Sequence, residues 1–238
     1  DALTTVSEAT NITNAPAVQR ANVEMRSVGL GAMNLHGYLA QNNIAYDSEL
    51  AVEFADVFFA AVNYHSVKRS MELAKEQSKV FYGFERSSYA DGSYFAQYVT
   101  EDITPKSDKI AKLFEGMTLP TAENWQQLAL DVAEHGLYNA YRLAIAPTGS
   151  ISYVQSATAS VMPIMERLEE RTYGNSKTYY PMPGLNFRTW ALYKEAYDMD
   201  MRKVVDVVAA IQRHVDQGIS FTLFLKDTHT TRDLTQLD

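Results

Sequence analysis

The chain contains no cysteine among its 238 residues. Disulfides, thiolate metal sites and cysteine catalysis within it are thereby excluded, and any chemistry that needs a thiol must borrow it from elsewhere. Basic charge is also scarce: 21 Lys and Arg face 29 Asp and Glu, for a net charge of −8, and no basic cluster is longer than Lys68-Arg69. A sequence-independent grip on nucleic acid phosphates is not expected of such a chain. Long hydrophobic runs are missing too. The densest apolar stretch, Val52 to Val62, is interrupted by Glu53 and Asp56 and falls short of the roughly 20 apolar residues of a membrane helix, so no membrane contact is expected. The chain opens on Asp1 with neither a basic start nor a hydrophobic leader. No signal peptide is visible, a cytoplasmic location is expected, and the sequence reads as a fragment. Pro-, Gly- or Ser-rich linkers and fixed-period repeats are absent, which argues for one domain or part of one.

What is present is the material of a core. With 46% hydrophobic and 21% charged residues, a chain of this length can bury roughly 70% of its unfolded surface without stapling by metal or disulfide. From Asp47, Leu50, Phe54, Val57, Phe58 and Ala61 recur at helical spacing and predict one apolar helical face. A second helix is predicted from Thr121, with Trp125, Leu128, Val132 and His135 on one side and a left-handed stop at Gly136. The apolar run Tyr141 to Ala146, bounded by Pro147, reads as a covered strand. A third helix carrying Val204, Val208, Ile211 and Val215 is predicted to end at Gly218, followed by a strand in which Ile219, Phe221, Leu223 and Leu225 alternate with Ser220, Thr222 and Phe224. Helices alternating with short strands predict an α/β architecture with a large helical share.

The best candidate for chemistry is Ala146-Pro147-Thr148-Gly149-Ser150-Ile151-Ser152, directly after the first strand. Small residues let the backbone approach a ligand, Gly149 permits unusual dihedrals, and three hydroxyls add donors at a possible helix start. No lysine follows, so this is not a Walker A loop. On spacing alone, a turn that caps a helix is the commoner use of such residues, and both readings stay open. The histidines His36, His65, His135, His214 and His229 show no HExxH or other metal spacing, so they read as surface or packed side chains and no metal site is assigned. Tyr179-Tyr180 before Pro181 reads as a strand end rather than a redox pair. The stretch Asp227 to Asp233 suits either a polar rim or the cap of a following helix, and Glu166 to Arg171 a solvated face.

At the loop a resemblance becomes specific. Trp125-Gln126-Gln127-Leu128, then Gly136-Leu137-Tyr138-Asn139, then Leu143-Ala144-Ile145-Ala146-Pro147 resembles the signature of the ribonucleotide reductase large subunit. Further stretches resemble the class Ib catalytic subunit in family order: Gly29 to Leu39, Tyr82 to Ser87, Ala146 to Ser152, Tyr179 to Pro181, His214 to Gly218 and Thr230 to Asp233. The resemblance covers essentially the whole chain. It implies the C-terminal part of a ten-stranded α/β barrel in which ribonucleoside diphosphates are reduced to 2′-deoxyribonucleoside diphosphates by thiyl-radical chemistry. It also implies that Pro147, Thr148, Gly149, Ser150 and Ile151 bind the substrate diphosphate. The implied partners are the remainder of the large subunit, a metal-containing small (beta) subunit that supplies the radical, and a redoxin-type external dithiol reductant.

The departures from the family are equally informative. The family's radical cysteine, its neighbouring asparagine and glutamate, the reducing cysteine pair and the nucleotide specificity site correspond to positions before Asp1, and the radical-relay tyrosines to positions after Asp238. Tyr179-Tyr180 is not that relay. No catalytic residue is therefore assigned within residues 1–238, no cofactor is expected to be bound by them, and the isolated chain is expected to be inert. The alternatives are a non-catalytic nucleotide- or phosphate-binding module derived from that barrel and an interaction domain without ligand.

Overall fold

The computed structural model describes residues 1–228 and 230. Eight α-helices are described: α1 Ala2–Ala9, α2 Pro16–Met25, α3 Leu35–Gln41, α4 Glu49–Gln77, α5 Asp108–Leu113, α6 Ala122–His135, α7 Ile151–Val154 and α8 Met201–Gln212. Two strands, β1 Leu168–Tyr173 and β2 Ser176–Pro181, pair antiparallel with Glu169 opposite Tyr180 and Arg171 opposite Thr178. The chain is thus mixed α and β, with helix dominant. It falls into two compact units: the first comprises Asp1–Gly31, Asp56–Ala144 and His214–Gly218, and the second Ala32–Ala55, Ile145–Arg213 and the described residues from Ile219 on.

The core of the first unit forms where α6 presents Trp125, Leu128 and Val132 to Val67, Met71, Phe95 and Tyr98. Tyr98 stacks on Trp125 with ring centroids 4.0 Å apart and planes 13° from parallel. The predicted limits of α6 hold. Asn124 N–H donates to Thr121 Oγ1 at 3.2 Å while Thr121 N–H donates to Asn124 Oδ1 at 3.1 Å, a reciprocal cap that satisfies two otherwise orphaned donors. The helix stops at Gly136, but not in the left-handed helical conformation expected there. Its φ of 74° and ψ of −167° lie in a region open essentially to glycine alone. A Cβ at this position would sit 2.3 Å from Val80 Cγ1.

Four further expectations are corrected. The long helix α4 does not bury one face: Ala51, Ala55, Phe59 and Ala60 are as buried as Phe54 and Val57, the signature of a helix covered on several sides. The strand expected at Tyr141 to Ala146 reduces to an isolated parallel bridge, Leu30 to Leu143. It is held by Leu30 N–H to Arg142 O at 2.8 Å and Ala144 N–H to Leu30 O at 3.0 Å. The third helix ends at Gln212, short of Val215 and Gly218, because the following residues leave the helix for side-chain partners. The strand expected from Ile219 does not form among the described residues, and its pattern inverts, with Phe224 buried while Leu223 is exposed. Alternating side chains define a strand only when a neighbour completes the ladder, and here Ile219 N–H turns to Gln212 Oε1 and Phe224 N–H to Met201 Sδ.

The second unit has a small core of Ala40, Ile164 and Tyr193. Tyr179 and Tyr180 do sit at a strand end, exposed, and Glu166, Leu168 and Glu170 face solvent. No helix among the described residues is long and apolar enough to cross a membrane.

Candidate anion-binding loop

In the second unit the segment after Ile145 is a loop that closes into the single turn α7. Pro147, Gly149, Ser150 and Ile151 are exposed and Thr148 is half-buried. The unusual backbone falls one residue earlier than expected: Thr148 has φ of 49°, whereas Gly149 has ordinary negative φ. Left-handed geometry in a β-branched residue is costly and needs external support. Ser160 N–H donates to Thr148 Oγ1 at 2.7 Å, and Ser152 N–H donates to Thr148 O at 3.0 Å. With its oxygen accepting from Ser160, the Thr148 hydroxyl retains a proton to donate. A Cβ at Gly149 would meet nothing within 4 Å, so the glycine leaves open space above the loop rather than relieving a contact within it.

Beside the loop lies a cavity of about 1230 Å3 whose wall includes Pro147, Ser152 and Tyr153, but not Thr148, Gly149, Ser150 or Ile151. The hairpin supplies another part of that wall. The Arg171 guanidinium stands 3.3 Å over the Tyr153 ring centroid and 5.3 Å from that of Tyr180, and pairs with Glu169 at 3.3 Å. Tyr153 donates its hydroxyl to Glu169, whose carboxyl is raised above the ordinary range by burial. The cavity is therefore aromatic and polar together, as small-molecule sites are.

A separate buried polar chain occupies the first unit. Arg142 pairs with Asp216 at 3.2 Å, their side chains 2% and 8% exposed, and donates to Tyr89 Oη at 3.1 Å. The Asp216 carboxylate also accepts Arg142 N–H at 2.9 Å and Leu143 N–H at 2.7 Å. His214 lies between Asp56 Oδ1, 2.9 Å from its Nε2, and Tyr98 Oη, 3.1 Å from its Nδ1. Burial raises Tyr94 to about 12. These groups are satisfied by one another and hold the bridge that leads toward the loop; only the i, i+2 spacing of His214 and Asp216 hinted at it.

The remaining candidates scatter. His36 is buried, His65 exposed and His135 half-buried, while His229, Thr231, Arg232 and Asp233 lie outside the described residues. No group of three or more acidic or histidine side chains gathers in a metal-holding arrangement among the described residues.

An exposed hydroxyl-bearing loop thus lies beside a cavity of mixed aromatic and polar lining. The family model for the ribonucleotide reductase barrel domain matches residues 1–237, and the chain belongs to that family. It is 68% identical, over all 238 residues, to the ribonucleoside-diphosphate reductase subunit alpha of Bacillus subtilis (strain 168), of which it covers 34%. To the subunit alpha of the Mycoplasma pneumoniae enzyme it is 45% identical over 98% of its length, covering 33% of that protein. The Helicobacter pylori subunit alpha is 33% identical over 88% of the chain, which covers 26% of it. The chain thus spans about a third or less of the length of these curated relatives.

Proposed function

We propose that the chain is the C-terminal portion of the ten-stranded α/β barrel of a ribonucleoside-diphosphate reductase catalytic subunit, incomplete at residues 1 and 238, and that it seats the diphosphate of the substrate. The observation that carries this reading is 68% identity along the entire chain to a subunit alpha of that enzyme. Pro147, Thr148, Gly149, Ser150 and Ile151 are the seat: the loop is exposed, Gly149 leaves its backbone approachable, and the Thr148 hydroxyl has a proton to give. A fixed diphosphate orients the ribose that reacts.

The reduction replaces the 2′-hydroxyl by hydrogen. Two electrons come from a dithiol that becomes a disulfide, and the hydroxyl leaves as water. No thiol is present in these residues, so the thiyl radical and the dithiol belong to the remainder of the large subunit. The radical is generated with a metal-containing small subunit, and a redoxin-type dithiol restores the enzyme. The setting is cytoplasmic, without nucleic acid or membrane as partner. The test is direct: the complete large subunit, mixed with its small subunit, a dithiol and a ribonucleoside diphosphate, yields the deoxyribonucleoside diphosphate, and the 238-residue chain substituted for it yields none. Reduction by the 238-residue chain, or none by the complete subunit, defeats the proposal.

A further inference from the structure

The loop's support comes from an unusual exchange of helix caps. Asn34 stands at the N-cap of α3 with φ of 69°, yet its side chain makes no bond to the helix it begins. An N-cap oxygen ordinarily accepts the N–H two or three residues on; here the third, Gly37 N–H, is taken instead by Thr158 Oγ1 at 3.2 Å. Asn34 turns its carboxamide outward and accepts Thr158 N–H at Oδ1, 2.9 Å, while Asn34 N–H donates to Thr158 O at 2.9 Å. Gly37 is what permits this. A Cβ there would lie 2.2 Å from Asn34 Oδ1. The same first turn of α3 adds a second grip: Ile164 N–H donates to His36 Nδ1 at 3.0 Å, and the opposite ring nitrogen faces Leu192 O at 3.0 Å.

The segment so held is the one that supports the loop. Ser156 and Ser160 have φ of 50° and 54°, so the chain on both sides of Thr158 is bent through left-handed residues. Ser160 in turn supplies the N–H that holds left-handed Thr148. Thr158 borders the cavity but is 1% exposed, and its hydroxyl, N–H and carbonyl are taken up by Gly37 and Asn34. We infer that Asn34 and Thr158 are positioning residues for the diphosphate seat, setting the Thr148 hydroxyl and the backbone of Gly149 and Ser150 through the Thr158–Ser160 segment. This rests on the reading of residues 147–151 as that seat.

The test uses the complete subunit and three probes, a nucleoside diphosphate, inorganic pyrophosphate and the phosphate-free nucleoside, with binding measured by calorimetry and KM and kcat by turnover. Thr158→Val keeps the shape and removes the hydroxyl, Thr158→Ser keeps the hydroxyl, and Asn34→Gly removes the carboxamide while tolerating the left-handed backbone. Thr158→Val and Asn34→Gly are expected to weaken diphosphate and pyrophosphate about tenfold, corresponding to 1.4 kcal/mol, with KM raised, kcat kept and nucleoside binding unmoved; Thr158→Ser restores both anions. Equal weakening of all three probes, or no rescue by Thr158→Ser, reduces the pair to a structural role and overturns the inference. Ser150→Ala and Gly149→Val separate the two layers. If these weaken pyrophosphate binding while folded Thr158→Val and Asn34→Gly do not, the seat stands and the positioning inference falls; if none of the four moves it, both fall.

Discussion

Removing the Asp216 carboxylate tests the polar chain that holds the bridge ahead of the loop. In Asp216→Ala, Arg142 N–H and Leu143 N–H lose their acceptor, and the Arg142 guanidinium, 2% exposed, loses its anion. Leaving a buried charge without its partner costs about 3–5 kcal/mol, and an orphaned buried N–H about 1–3 kcal/mol. Because one carboxylate serves all three groups the costs are not additive, and about 4–6 kcal/mol is the expected loss. That is a large share of a domain's usual stability, so the complete cycle is needed. Arg142→Met/Asp216→Ala removes the stranded charge and is expected to recover about 2–4 kcal/mol, leaving only the amide penalty. Urea denaturation followed by tryptophan fluorescence measures each step, since Trp125 packs in the same core. A loss below 1 kcal/mol in the single variant, or a double variant no more stable than it, refutes the argument.

Other outcomes follow from single positions. Gly136→Ala should destabilise by about 2–4 kcal/mol, from a backbone region nearly closed to alanine and from overlap with Val80; adding Val80→Ala should return part of that in thermal unfolding. Gly149→Val should leave the melting temperature nearly unchanged, because the space above Gly149 is open, while weakening diphosphate binding in calorimetry; a wild-type affinity would place the ligand elsewhere. Burial lowers His36 from 6.5 to about 4. Its stabilising contribution is therefore complete above pH 6.5 and is lost as pH falls toward 4, by at most about 3 kcal/mol. Denaturation at pH 7 and pH 5 should show this fall in the wild type and a smaller one in His36→Gln.

Local signals carried where chemistry is local. The limits of α6 were legible because Thr121, Asn124 and Gly136 act within one turn of the helix, and Tyr179-Tyr180-Pro181 announced a strand end that does form. Periodicity failed where burial comes from several directions, as on α4, and where a strand pattern has no ladder partner, as after Ile219. The loop at Ala146 to Ser152 was found from its small residues and hydroxyls. Which of them takes the left-handed backbone was not, since a glycine nearby is the default expectation, whereas the observed choice of Thr148 depends on Ser160, twelve residues on.

By itself, then, the amino-acid order determined the absence of a thiol in these residues, the family and the place of the candidate loop, because each is written in residue type and short spacing. Only the tertiary structure decided how that loop is held. The exchanged caps join Asn34 to Thr158 across 124 positions, and the Arg142–Asp216 pair spans 74. Hydrogen bonds between such distant residues depend on how the intervening chain folds back, and no local pattern encodes that.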